Sequence, residues 1–163
     1  MQVRSLTTLI WIFLALFVCT VFVVAAFSVI DKDHAFGIVT NSRALYSDEG
    51  WYVKAARNLN VFGKVMLEYD FQHWPAAPIY SAVQSGMFWM FGVGMETARG
   101  WSVFATTGAF LAFYLACQKH LKTESAFAGL VLVSTTFLIF HFSRSALADP
   151  TAPLISLLAV LAY

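Results

Sequence analysis

The chain has 163 residues, of which 60% are apolar and only 12% are charged, and its formal net charge is +1. The apolar share is too high and the charged share too low for a typical water-soluble domain. Because the apolar residues gather into long runs, the composition predicts a polytopic membrane protein. A net charge so close to zero gives no reason to expect nucleic acid as a partner. The two cysteines, Cys19 and Cys117, lie inside apolar runs, and we interpret both as packing residues.

The first apolar run extends from about residue 6 to residue 30. As a helix it covers ~37 Å, which is enough to cross a bilayer with some tilt. It is too long for the apolar region of a signal peptide. The run therefore predicts a first transmembrane helix over 6–30, with its N-terminus in the cytoplasm.

Two adjacent carboxylates, Asp48 and Glu49, begin a second, amphipathic helix predicted over 48–62. One face carries an apolar stripe, formed by Trp51, Ala55, Leu59 and Phe62. Another face carries the polar residues Lys54, Arg57 and Asn58. Ser47 is a suitable N-cap, and Gly63 is a suitable stop. The pattern predicts a helix that lies along the membrane surface.

Four more apolar stretches follow, at 78–93, 100–117, 125–142 and from 153 onward, and the topology depends on which of them cross the membrane. If 78–93 does not cross, the short loop with Lys119 and Lys122 is cytoplasmic, as the positive-inside rule favours. Residues 78–93 make a helix of only about 24 Å. Its apolar and polar residues, the latter being Ser81, Gln84 and Ser85, occupy different faces. We predict a second surface helix here, and a short true span stays open as the alternative.

These elements predict an all-α membrane protein, a polytopic helical bundle that forms a single membrane module over 1–163. It would have three full transmembrane helices, the start of a fourth at 150–163, and two amphipathic juxtamembrane helices in a large external loop, 31–98. About 11 apolar residues at the end of the chain are too few to cross a bilayer. We therefore expect the N-terminal part of a longer protein, packed against further transmembrane helices.

After the first span come Asp48-Glu49, the aromatic segment His73-Trp-Pro-Ala-Ala-Pro78, Arg99 at the head of the next span, and the run from Ser143 to Asp149, Ser-Arg-Ser-Ala-Leu-Ala-Asp. This order of motifs resembles the N-terminal module of C-type integral-membrane glycosyltransferases, the GT-C fold. The closest branch contains the protein O-mannosyltransferases and the lipid A aminoarabinose transferase. Relatives often have Lys-Pro-Pro or His-Pro-Pro before the surface helix, so the assignment of His73 as a phosphate-contacting base stays open.

The resemblance implies a multi-pass enzyme that transfers a sugar from a polyprenyl-phosphate donor to a hydroxyl acceptor on a protein, lipid or glycan. Transfer would occur on the external or lumenal face with inversion, and in a prokaryote the membrane would be the plasma (inner) membrane. Asp48, with Glu49 beside it, corresponds to the catalytic carboxylate of the family. Arg99 corresponds to its basic residue at the head of a span, and Asp149 to its second-loop acid. The fragment alone is expected to be inactive.

Each candidate also has a structural interpretation. A carboxylate at a partly desolvated membrane surface is suited to general-base work, but Asp48 and Glu49 would also be favoured in a first helical turn. Arg99 and Arg144 could bind a phosphate or a carboxylate, or act as interfacial anchors. Asp149 could belong to the site or cap the helix after it.

A metal cofactor is left open by the sequence. Glu68, Asp70 and His73 form a Glu-x-Asp-x-x-His run, but its spacing matches no zinc signature. Whether the protein uses a divalent cation is therefore left open. The alternative function is a non-catalytic, small multispanning subunit or scaffold.

Overall fold

The computed structural model describes residues 2–30, 49–68, 77–146 and 148–163. Within these ranges the chain forms helices and no strand. In chain order the helices are α1 (Gln2–Phe27), α2 (Glu49–Phe62), α3 (Pro78–Phe91), α4 (Met95–Gln118), α5 (Thr123–Ser134), α6 (Phe137–Ser143) and α7 (Thr151–Ala162). Two of them, α1 over Leu6–Phe27 and α4, are long and apolar enough to cross a membrane. The all-helical prediction is confirmed for the described residues.

The predicted helix over 125–142 is instead two helices, α5 and α6, which meet at an angle of 63°. The break falls at Thr135 and Thr136. Their hydroxyls donate to the carbonyl oxygens of Val131 and Leu132, at 2.8 and 3.0 Å. Hydroxyl groups that bond back to the preceding turn compete with the helical ladder and favour a bend. The bent pair α5–α6 can be counted as one broken span or as two shorter helices that do not cross separately. The number of candidate spans is accordingly three or two.

Side chains of α1, α4, α5 and α6 form the main core. Phe22 of α1 packs edge-on against Phe110 of α4, with ring centroids 4.8 Å apart, and against Phe140 of α6, at 5.8 Å. Small residues allow the backbones to approach, among them Ala15, Ala26 and Ala126. We call the cluster around Phe22 the aromatic core.

Helices α2 and α3 pack against each other, and α3 also packs on α4. Gly63 ends α2 as predicted, with φ +69 and its N–H bonded to the Leu59 carbonyl oxygen. Asn60 joins the two helices, because its amide donates to the Ser85 hydroxyl at 2.8 Å. The polar face of α3 points inward, whereas Trp89 is 83% exposed. This orientation is typical of a helix that has an apolar surrounding.

Helix α7 packs along α4, and the Trp101 indole donates to the Thr151 hydroxyl at 3.1 Å. The predicted capping by Asp149 is not seen. The helix begins at Thr151 after Pro150, and within the described residues no side chain caps it. Proline sets a backbone angle that suits a helix start without a capping side chain.

Candidate functional site: a buried ion-pair junction

Glu49 and Arg99 form a bidentate ion pair in the interior of the protein. The Arg99 Nε donates to Glu49 Oε1, and Arg99 Nη2 donates to Glu49 Oε2, both at 2.9 Å. The side chains are 0% and 1% exposed. Two parallel hydrogen bonds make this the strongest arrangement between a guanidinium and a carboxylate. Glu49 is in the first turn of α2 and Arg99 is in the second turn of α4, so the pair ties the two helix starts together.

Backbone groups from two more segments complete the pair. The Ala146 N–H, between α6 and α7, donates to Glu49 Oε1 at 2.6 Å. Arg99 Nη1 donates to the Ile30 carbonyl oxygen, just after α1, at 2.7 Å. We call these four residues the ion-pair junction. It brings the end of α1, the starts of α2 and α4, and the α6–α7 connection to one end of the helix bundle.

The geometry explains how two charges tolerate full burial. Desolvation of an ion pair is costly unless its remaining hydrogen-bonding positions are also filled. Both Glu49 oxygens accept bonds from Arg99, and Oε1 accepts a third from Ala146. In this structure Glu49 therefore holds the helices in place, and Arg99 binds a carboxylate. Roles of Glu49 in catalysis and of Arg99 in phosphate binding stay predictions.

Arg144 lies beside the junction and is partly buried. Its Nη1 donates to the Val29 carbonyl oxygen at 2.8 Å, and its guanidinium carbon lies 5.2 Å from the centre of the Phe140 ring. Burial, and secondarily the nearby charge of Arg99, lower the pKa of Arg144. A second guanidinium therefore lies beside the junction, and guanidinium groups are suited to binding anions.

Asp149 lies on a different surface, where it is exposed. It borders a cavity of about 420 Å³ between α4, α6 and α7, lined otherwise by mostly apolar side chains such as Phe110, Phe113 and Leu157. Asp149 therefore lies beside an apolar cavity, and it is not among the residues that form the junction.

Two predicted site residues, Asp48 and His73, lie outside the described residues, as does Asp70 of the possible metal-binding run. Asp48 immediately precedes the anchored Glu49 in the sequence. Within the described part of the chain, no three His, Cys, Asp or Glu side chains gather closely enough to hold a metal ion.

Sequence reasoning missed several participants. The Ile30 carbonyl and the Ala146 N–H are backbone groups, which leave no mark in residue type. Tyr80 of α3 was also missed, although it is buried and lies beside Ser102 of α4. The Tyr80 hydroxyl has no hydrogen-bond partner among the described residues. Burial, and to a smaller extent the charge of Glu49, raise the pKa of Tyr80. The charge of Glu49 in the junction therefore acts on a side chain of α3.

In comparisons with known proteins, no family model, no curated protein and no solved structure matches the chain.

Proposed function

We propose that the chain is the N-terminal part of a membrane glycosyltransferase that takes a sugar from a polyprenyl-phosphate donor and transfers it to a hydroxyl acceptor on the external or lumenal face. The resemblance of the motif order supplies the reaction class. The observation that carries the proposal further is the ion-pair junction, because it anchors the residue next to Asp48 and gathers Arg99 and Arg144 at the same end of the bundle.

In the proposed reaction, Asp48 accepts the proton of the acceptor hydroxyl as that oxygen attacks the anomeric carbon. The bond from this carbon to the phosphate oxygen breaks, and the lipid phosphate leaves with its negative charge. Arg144, whose guanidinium lies beside the ion-pair junction, would attract that charge. Glu49 would act as a positioning residue, because its carboxylate is already bound by Arg99 and Ala146. The donor and acceptor pockets would be completed by further transmembrane helices.

The proposed topology has the N-terminus in the cytoplasm and three full spans, with the bent pair α5–α6 as the third. It is supported by the bond between Arg99 and the Ile30 carbonyl, since the segment between them leaves and returns to one end of the bundle. In that case α3 does not cross. A His120→Cys variant without Cys19 and Cys117 should resist a membrane-impermeant maleimide added from outside. Lys64→Cys, in the large loop, is the matched control and should react. Rapid labelling at position 120 would rule this topology out.

The function is tested by expressing the complete reading frame in membrane vesicles and supplying polyprenyl-phosphate mannose as the donor probe. Asp48→Asn should reduce the release of polyprenyl phosphate by about 10²–10⁴-fold, the usual contribution of a general base. Lys122→Gln, in the predicted cytoplasmic loop, is the control and should release it at the wild-type rate. A wild-type rate for Asp48→Asn would show that the role assigned to this carboxylate is wrong.

The second candidate is a non-catalytic subunit or scaffold. The burial of Glu49 and Arg99 favours it, because groups that fill each other's hydrogen-bonding positions are a common structural device. This candidate predicts that the chain purifies with a larger membrane partner and that no glycosyl donor is consumed by either Asp48→Asn or wild type. Donor consumption that depends on Asp48 would exclude it.

A further inference from the structure

Helix α3 buries a polar face that its protein neighbours leave incompletely bonded. Gln84 is 0% exposed, and neither its Nε2 nor its Oε1 has a hydrogen-bond partner among the described residues. The hydroxyl of Ser81 is also buried, and within those ranges it likewise has no hydrogen-bond partner. Residues three apart on a helix are neighbours on one face, so the two side chains share one site.

The surroundings of this site are polar on every packed helix. From α2, Asn58 is buried and Asn60 bonds to Ser85. From α4, Ser102 is fully buried beside Tyr80. The opposite side of α3 is apolar and exposed, so the helix turns its polar groups away from its outer surface. Such an orientation stabilises the protein only when the buried polar groups find partners.

The chemistry of the side chains selects the partner. A carboxamide has two donor hydrogens and an acceptor oxygen, and a hydroxyl both donates and accepts. A bound cation would leave the Gln84 Nε2 without an acceptor, and a bound anion would leave its Oε1 without a donor. Water serves both atoms, and buried water typically makes about three bonds to polar groups of this kind.

We propose that Ser81 and Gln84 bind ordered water between α3 and its neighbours α2 and α4, forming a buried hydration site beneath the surface helix. The site lies close enough to the ion-pair junction for the Glu49 charge to act on Tyr80. This proposal is independent of the proposed function, because it rests on the bonding of α3 alone.

Hydroxyl-radical labelling by a short X-ray pulse tests it, because radicals formed from bound water oxidise adjacent side chains even where solvent has no access. Tyr80 and Tyr114 make a matched pair, since each is 2% exposed. Tyr114 lies in α4, and its hydroxyl accepts a bond from Gln118. Tyr80 should be oxidised several-fold faster than Tyr114, while the exposed Trp89 reports that the radical dose is sufficient. Equal rates for the two tyrosines would overturn the proposal.

Gln84→Leu sharpens the assignment, because it keeps an apolar side chain of similar size and removes the polar atoms. The variant should lower the Tyr80 rate to that of Tyr114. An unchanged rate would show that the water is held elsewhere and that the assignment to Gln84 is wrong. If this variant fails to fold, Ser81→Ala gives the same test, and the comparison of the two tyrosines in the wild-type protein requires no variant.

Discussion

The ion-pair junction and the aromatic core hold the same helices together by different means. The core packs Phe22 against Phe110 and Phe140 through contacts that many side-chain shapes could make. The junction uses hydrogen bonds that fix the direction and register of each segment. In a membrane, lipid tails are as apolar as a core side chain, so burying an apolar surface provides little drive for association. The core therefore fills space, whereas the junction specifies which helix ends meet.

Replacing Arg99 with Leu should have the largest effect on this arrangement. The substitution leaves the Glu49 carboxylate buried without its countercharge, which costs about 3–5 kcal/mol of the free energy of unfolding. The measurement is unfolding in mixed detergent micelles.

The double variant Glu49→Gln with Arg99→Leu should recover a large part of that loss, because no charge is then stranded. Lys119→Met, at the other end of α4, is the control and should change stability by less than about 0.5 kcal/mol. If the double variant is less stable than Arg99→Leu alone, the stranded charge is not the cause.

Phe22→Ala should be less costly, although Phe22 is at the centre of the aromatic core. The variant loses two edge-on aromatic contacts, worth about 1–3 kcal/mol together. It does not lose much transfer energy in a lipid surrounding.

Phe13, on the same helix and 70% exposed, is the matched control, and Phe13→Ala should leave the free energy of unfolding almost unchanged. If Phe22→Ala proved as costly as Arg99→Leu in the same micelles, the proposed difference between the two regions would be lost.

The smallest effect concerns Tyr80, where the charge of the junction reaches α3. The folded protein raises the pKa of Tyr80 above the ordinary value of 10.0, so the neutral phenol is favoured by folding. That contribution is fully present below pH 10 and is lost as the pH rises further. Above pH 10, stability should fall more steeply in wild type than in Tyr80→Phe, by up to about 1.4 kcal/mol per pH unit.

Unfolding measured between pH 8 and 11 (roughly the range in which a tyrosine ionises) gives the two slopes. Tyr163→Phe, which removes the phenol of a fully exposed tyrosine, is the matched control. Identical slopes for wild type and Tyr80→Phe would contradict the influence of burial and of Glu49 on this residue.

The extent of most helices could be predicted from the sequence, because local signals mark their ends. Pro78 begins α3, where proline suits the first helical turn, and Gly63 follows α2 with a positive φ that favours glycine. The bend at Thr135 and Thr136 was not predicted, since two threonines in an apolar run are compatible with a straight helix. Their hydroxyl bonds to the preceding turn become evident only in three dimensions.

The candidate site could be predicted only as a set of residues. Charged side chains at Glu49, Arg99 and Arg144 stand out in a chain that has few charges. Their pairing could not be inferred, because Glu49 and Arg99 are 50 residues apart and Ala146 contributes only its backbone. The orientation of α3 could not be predicted either. A hydrophobic pattern distinguishes a polar from an apolar face, but it does not show which face packs against the rest of the protein.

The bond between Glu49 and Arg99 also sets an order for biogenesis. Glu49 leaves the ribosome 50 residues before Arg99, and Ala146 follows Glu49 by 97 residues. At ~5–20 residues per second, the carboxylate exists for about 3–10 s before its arginine has been synthesised. During that interval α2 must remain in a hydrated setting, because its acid has no countercharge to carry into the apolar phase. On the proposed topology, docking of α2 on α4 would therefore be a late step of insertion, which requires α4 and is completed when the chain has grown past α6.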